Sequence, residues 1–155
     1  MSDTHSELPT DPDATASPQR SLSAASLWVF VGGAAGTALR VAVEDALLHD
    51  CEQWPWATLL INLVGAFVLG ALLEGLVRTG DDSRVRQRIR YAFGTGGCGA
   101  FTTYSTLSLD ISLLARSAHV AAALGYGLAS VLGGMATAWL GTVVAAGVHR
   151  RRSRR

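Results

Sequence analysis

The chain contains no lysine; all thirteen of its Lys-plus-Arg complement are arginine. A glycine-rich phosphate cradle needs a Lys-Ser/Thr pair behind its glycines, so the glycine run at 94–99 is not one. Cysteine is also scarce. Cys51 and Cys98 form no CxxC or Cys/His metal spacing and stand in such different surroundings that a disulfide between them is not expected. The four histidines, His5, His49, His119 and His149, are scattered toward ends and loops, and no nucleophile–base pair accompanies them, so an enzyme is not expected. Charged residues make up only 16% of the chain, against roughly 25% in soluble domains. A net charge of +1 gives no reason to expect a nucleic-acid partner.

What is present is apolar length. Crossing a hydrocarbon core takes about 20 largely apolar residues in a helix. Four stretches free of Asp, Glu, Lys and Arg qualify, at 21–39, 53–73, 91–109 and 117–148. The first continues past Arg40 to about Leu48. A soluble bundle is disfavoured, because four such runs in 155 residues leave almost no polar faces to wet. A signal peptide over the first run is disfavoured by its acidic lead-in and by Arg40 just behind the small residues. The expected organisation is a disordered cytoplasmic tail at 1–20, a four-helix membrane domain at 21–148, and a basic cytoplasmic tail at 149–155.

Arginine placement sets the expected orientation in the cell membrane. One arginine precedes the first run, five lie between the second and third, and five follow the fourth, giving eleven on one side. Both termini are therefore expected in the cytoplasm.

Polar residues inside the runs are the candidates for function. Arg40 is costly in a membrane and either faces a cavity or snorkels to the interface. Asn62 sits near mid-span, where an amide without a partner is expensive; it serves a pathway or links helices by a hydrogen bond. The third run holds Gly94, Gly96, Gly97 and Gly99, followed by Thr102, Thr103, Tyr104, Ser105 and Thr106. Four glycines in six residues make a poor continuous helix. Broken backbone survives in a bilayer only where protein or a water-filled cavity satisfies it. Freed carbonyls suit a small cation and hydroxyls offer donors to an anion. Close helix packing accounts for the glycines alone but leaves the hydroxyl run unexplained. Tyr126 and Ser130 share one face of the fourth run.

Three ordered motifs resemble the Fluc (CrcB) fluoride channel family: Gly32-Gly33…Gly36…Arg40, Pro55-Trp56…Asn62…Gly65…Gly70, and Gly99…Thr102-Thr103-Tyr104-Ser105-Thr106. The resemblance spans 32–141. It implies an all-α membrane protein of four transmembrane helices with the third broken, assembled as an antiparallel dimer with two narrow pores. It further implies passive, fluoride-selective export that reduces toxicity, and a central structural sodium ion held by main-chain carbonyls, here of Gly99 and Thr102. Asn62 takes the position of the family's pore asparagine and Arg40 that of its vestibule arginine. Thr106 and Ser130 become hydroxyls on the anion track, with Tyr126 alongside.

The sequence departs from that pattern where the family places two phenylalanines, since Tyr104 and Leu107 stand there; Leu107 offers no ring edge to an anion. Gly134 replaces a serine common in the family. An antiparallel homodimer also needs balanced flanking charge, which eleven arginines on one side oppose. An oppositely oriented paralogous subunit is therefore the expected partner, besides fluoride, sodium and membrane lipid. Two rivals remain: a non-conducting or regulatory subunit, which Leu107 motivates, and a small multidrug-resistance exporter. The exporter needs a buried acid midway along its first helix, where this chain has arginine.

Overall fold

The computed structural model describes residues 19–47, 54–78, 83–117 and 119–152, which are largely helical, with no strand among them. The helices are α1 (Gln19–Ala46), α2 (Trp56–Arg78), α3 (Arg84–Ile89), a π-helical stretch Arg90–Cys98, α4 (Gly99–Phe101), α5 (Tyr104–Arg116) and α6 (Val120–Arg152). Three segments are long and apolar enough to cross a membrane: Ala24–Ala46, Trp56–Arg78 and Val120–Arg151. The run expected to cross third is not one helix. Helical backbone runs without interruption from α3 through the π-helical stretch and α4, stops at Thr102–Thr103, and resumes as the thirteen residues of α5.

The expected boundaries shift in three places. The tail at 1–20 lies outside the described residues except for Gln19 and Arg20, which begin α1. The second run ends five residues beyond its expected limit, because Glu74 and Arg78 pair one turn apart and extend α2 past the apolar stretch. At the other end, α6 runs through 149–152, so most of the expected basic tail is helix. Arginine is a good helix former, and nothing in that stretch stops propagation.

Helix starts have local causes. The Pro55 carbonyl accepts the first bond of α2 from the Leu59 N–H at 3.3 Å. Ser83 caps α3 by accepting from the Arg86 N–H, and Thr103 caps α5 by accepting from the Thr106 N–H. Within the α5–α6 turn, the N–H groups of Ser117 and His119 close back on the carbonyls of Leu113 and Leu114.

Two seams hold the helices together, and both depend on missing side chains. α1 lies against the π-helical stretch: a Cβ on Gly32 would overlap the Ala92 carbonyl, and one on Gly36 would overlap that of Gly97. α2 lies along α6, where a Cβ on Gly70 would strike the Ala138 carbonyl and one on Gly141 that of Phe67. Lipid tails are as apolar as leucine, so helices in a bilayer associate through such close van der Waals approach. Large apolar side chains point outward instead, among them Phe30, Leu124 and Trp139. The few buried residues include three polar ones, Thr58, Thr103 and Ser130.

Candidate ion pathway

The chain bends at Thr102 and Thr103, whose backbones are extended (φ −73°, ψ 155° and φ −143°, ψ 122°) between α4 and α5. Each backbone group left over by the bend must find a partner in a medium without water. Asn62 on α2 supplies two. Its Oδ1 accepts from the Thr103 N–H at 2.8 Å, and its Nδ2 donates to the Thr103 carbonyl at 3.0 Å. The side-chain amide thus stands in for a neighbouring backbone, and one Nδ2 hydrogen remains free to donate elsewhere.

These diversions have a consequence for the carbonyls expected to hold a cation. In a continuous helix the Thr103 N–H would close a turn on the Gly99 carbonyl, but here it goes to Asn62. The Thr106 N–H would close on the Thr102 carbonyl, and it goes instead to the Thr103 hydroxyl at 3.2 Å. Gly99 and Thr102 therefore lose the donors that helix geometry would have given their oxygens. The Cys98 carbonyl, by contrast, is doubly used, accepting from the Thr102 N–H and the Thr102 hydroxyl. Gly99 itself is exposed, with no atom within 4 Å of where a Cβ would sit.

Below the bend, polar groups run in i, i+4 pairs on three helices: Thr58 and Asn62 on α2, Thr106 and Asp110 on α5, Tyr126 and Ser130 on α6. The buried Thr103 hydroxyl lies 3.0 Å from that of Thr106 and 3.2 Å from that of Ser105. The Tyr126 hydroxyl donates toward the Pro55 carbonyl at 3.2 Å and the Asp110 carboxylate at 3.4 Å. The buried Thr58 and Ser130 side chains adjoin the same Tyr126 hydroxyl. Trp54 meets the Tyr126 ring edge to face at 5.3 Å between centroids. Ser130, one turn after Tyr126, is buried.

The structure thus brings Asn62, Thr106, Tyr126 and Ser130 into one tract between α2, α5 and α6. It does not bring in Arg40 or Tyr104. Arg40 stays on α1 with Glu44 as its ion-pair partner at 4.0 Å, and its Nε is buried without a hydrogen bond. Tyr104 is 82% exposed, and Leu107 is partly covered on α5. Sequence reasoning missed Thr58 and Asp110. Spans taken as charge-free runs stop at Leu109, which excludes Asp110 by construction. The signal was available, since Thr58 lies one turn before Asn62 and Asp110 one turn after Thr106.

An apolar bundle seamed by glycine, with a polar tract beside a bend in mid-chain, defines a membrane protein that handles a small polar solute or ion. The family of the CrcB-like protein, Camphor Resistance (CrcB), matches residues 27–142, and the chain belongs to that family. Similar proteins include "Fluoride-specific ion channel FluC 1" of Cutibacterium acnes (strain DSM 16379 / KPA171202), 44% identical over 112 residues, covering 72% of this chain and 78% of that one. "Fluoride-specific ion channel FluC 2" of Leifsonia xyli subsp. xyli (strain CTCB07) is 40% identical over 126 residues, covering 81% and 86%. "Fluoride-specific ion channel FluC" of Gloeobacter violaceus (strain ATCC 29082 / PCC 7421) is 39% identical over 126 residues, covering 77% and 94%.

Proposed function

We propose that the chain is a subunit of a passive, fluoride-selective channel that lets cytoplasmic fluoride leave the cell down its gradient. The observation that carries this reading is the polar tract formed by Asn62, Thr103, Thr106, Asp110, Tyr126 and Ser130 between α2, α5 and α6 of an otherwise apolar bundle. Buried polar groups are costly in a bilayer unless they are paired or line a pathway. An anion passing along the tract meets hydroxyl and amide donors. Fluoride is small and strongly hydrated, so a pathway must replace its water with directed donors. The Ser130 and Thr106 hydroxyls and the free Nδ2 hydrogen of Asn62 are of that type. Pore width and lining donors together set selectivity against larger halides. The relatives' names support transport rather than catalysis.

In this reading the pieces from the π-helical stretch to α5 cross the membrane together as a fourth span, broken at Thr102–Thr103. The carbonyls of Gly99 and Thr102 are hard oxygens deprived of their helical donors, and that donor set fits a structural sodium ion. Bound there, sodium would supply positive charge and fix the bend. The exposed ring of Tyr104 faces away from its own chain, so a second, antiparallel subunit is needed to bring aromatic edges onto the tract. Arginine bias favours a paralogue in that role, with both termini of this chain cytoplasmic. Relatives named FluC 1 and FluC 2 agree with paired chains.

Liposomes holding the purified chain, alone and with an oppositely biased paralogue, test both parts. Selective fluoride efflux over chloride is expected from the pair, and little from the chain alone. Efflux at a full rate from the chain alone removes the need for a paralogue. No fluoride efflux in either preparation overturns the channel reading.

A further inference from the structure

A cavity of about 540 Å3 opens where α3 meets the start of α1, away from the polar tract. It is lined by Ala24, Ala25 and Trp28 of α1 and by Arg84, Gln87, Arg88 and Tyr91. Positions 84, 87, 88 and 91 form one stripe at i, i+3, i+4 and i+7, the face that elsewhere in a helical protein carries apolar packing residues. Here the stripe carries two arginines and an amide, and it faces two alanines too small to fill the space. Among the described lining residues none is acidic. The two like charges stand one turn apart, which is unfavourable unless an anion joins them. Arg88 already rests over the Trp28 ring, with its guanidinium carbon 5.8 Å from the ring centroid. That stacking holds the fork in place while leaving its N–H donors available. The cavity adjoins the N-terminal part of α1, one of the helices long and apolar enough to cross a membrane.

We propose that this cavity binds the phosphate-bearing headgroup of an anionic phospholipid, with Arg84 and Arg88 on the phosphate and Trp28 and Tyr91 at the headgroup level. Charge complementarity selects the occupant: guanidinium forks match phosphate oxygens, and aromatic side chains favour the membrane–water boundary. Gln87 supplies a neutral donor for the polar part of the headgroup. Lipid is the phosphate source in reach, because the adjoining helix is long and apolar enough to lie in a bilayer. The site does not depend on which ion the tract conducts.

The test is native mass spectrometry of the full chain extracted from mixed vesicles of phosphatidylglycerol and phosphatidylcholine in equal amounts. Phosphatidylglycerol is expected to be retained in preference to phosphatidylcholine. R84Q/R88Q should weaken that retention about tenfold, R84K/R88K should keep part of it, and R86Q, an arginine outside the cavity, should leave it unchanged. Equal retention of the two lipids by the unaltered chain overturns the proposal without any variant. So does an equal loss in R86Q, which would indicate diffuse surface charge. Displacement of the lipid by millimolar inorganic phosphate would assign the site to free anions instead and overturn the lipid reading. Fluoride efflux measured on the same variants keeps this result separate from the channel assignment.

Discussion

The two sides of the bend at Thr102–Thr103 are built on opposite terms. Before it, the π-helical stretch packs on α1 backbone to backbone, and what matters is the absence of side chains at Gly32, Gly36 and Gly96. After it, α5 is held by particular side chains, those of Asn62, Thr103, Asp110 and Tyr126, and each bond has a named donor and acceptor. The first side tolerates no added atom at those three glycines. The second tolerates no lost one. A membrane segment can thus be rigid on one side of a break and chemically articulate on the other, because close packing and hydrogen bonding fail for different reasons.

The largest expected effect breaks the packed side. Gly32→Leu drives a side chain into the Ala92 carbonyl, which is backbone and cannot swing away. Loss of at least about 3 kcal/mol is expected, seen as failure to yield a monodisperse detergent-solubilised protein. Gly75→Ala should do nothing of the kind, since no atom lies within 4 Å of that position. If both variants behave alike, the seam is not what the geometry says it is.

Next comes the bonded side. Asn62→Ala leaves the Thr103 N–H and carbonyl without partners, and about 2–4 kcal/mol of destabilisation is expected in a thermal melt. Fluoride efflux should fall at least tenfold. Asn62→Asp keeps the acceptor but loses the donor to the carbonyl, so an intermediate melt sharpens the assignment.

Ser130→Ala separates function from stability. Removing this buried hydroxyl should change the melting temperature little, because Tyr126 keeps Pro55 and Asp110 as partners, while fluoride efflux drops several-fold. A parallel loss of both would mean that Ser130 is structural. The smallest change is expected from Leu107→Phe, which puts a ring on α5 where the family pattern has one. Efflux from the chain alone should rise modestly, and an unchanged rate would place the limiting step elsewhere.

Some of this was legible in the residues. The small-residue spacing of Gly32 and Gly36 announces close approach, and the 94–99 glycines followed by hydroxyls announce a poor helix. The direction of Asn62's bonds could not be read, because an amide at mid-span serves equally as helix link or pathway donor until its neighbour is known. The structure gives Asn62 the first role with two of its groups and leaves one hydrogen for the second. Arg40 shows the opposite limit: its cost was evident, but its pairing with Glu44 depends on which side chains α1 presents together.

The sequence by itself determined that this chain lives in a membrane and builds its helix contacts from glycine, because hydropathy and side-chain size are properties of residues taken singly. Only the tertiary structure decided where the third run yields and which groups share the polar tract. A hydrogen bond between Asn62 and Thr103 joins positions 41 apart in the chain, and a hydroxyl such as Ser130's is buried only by what packs around it.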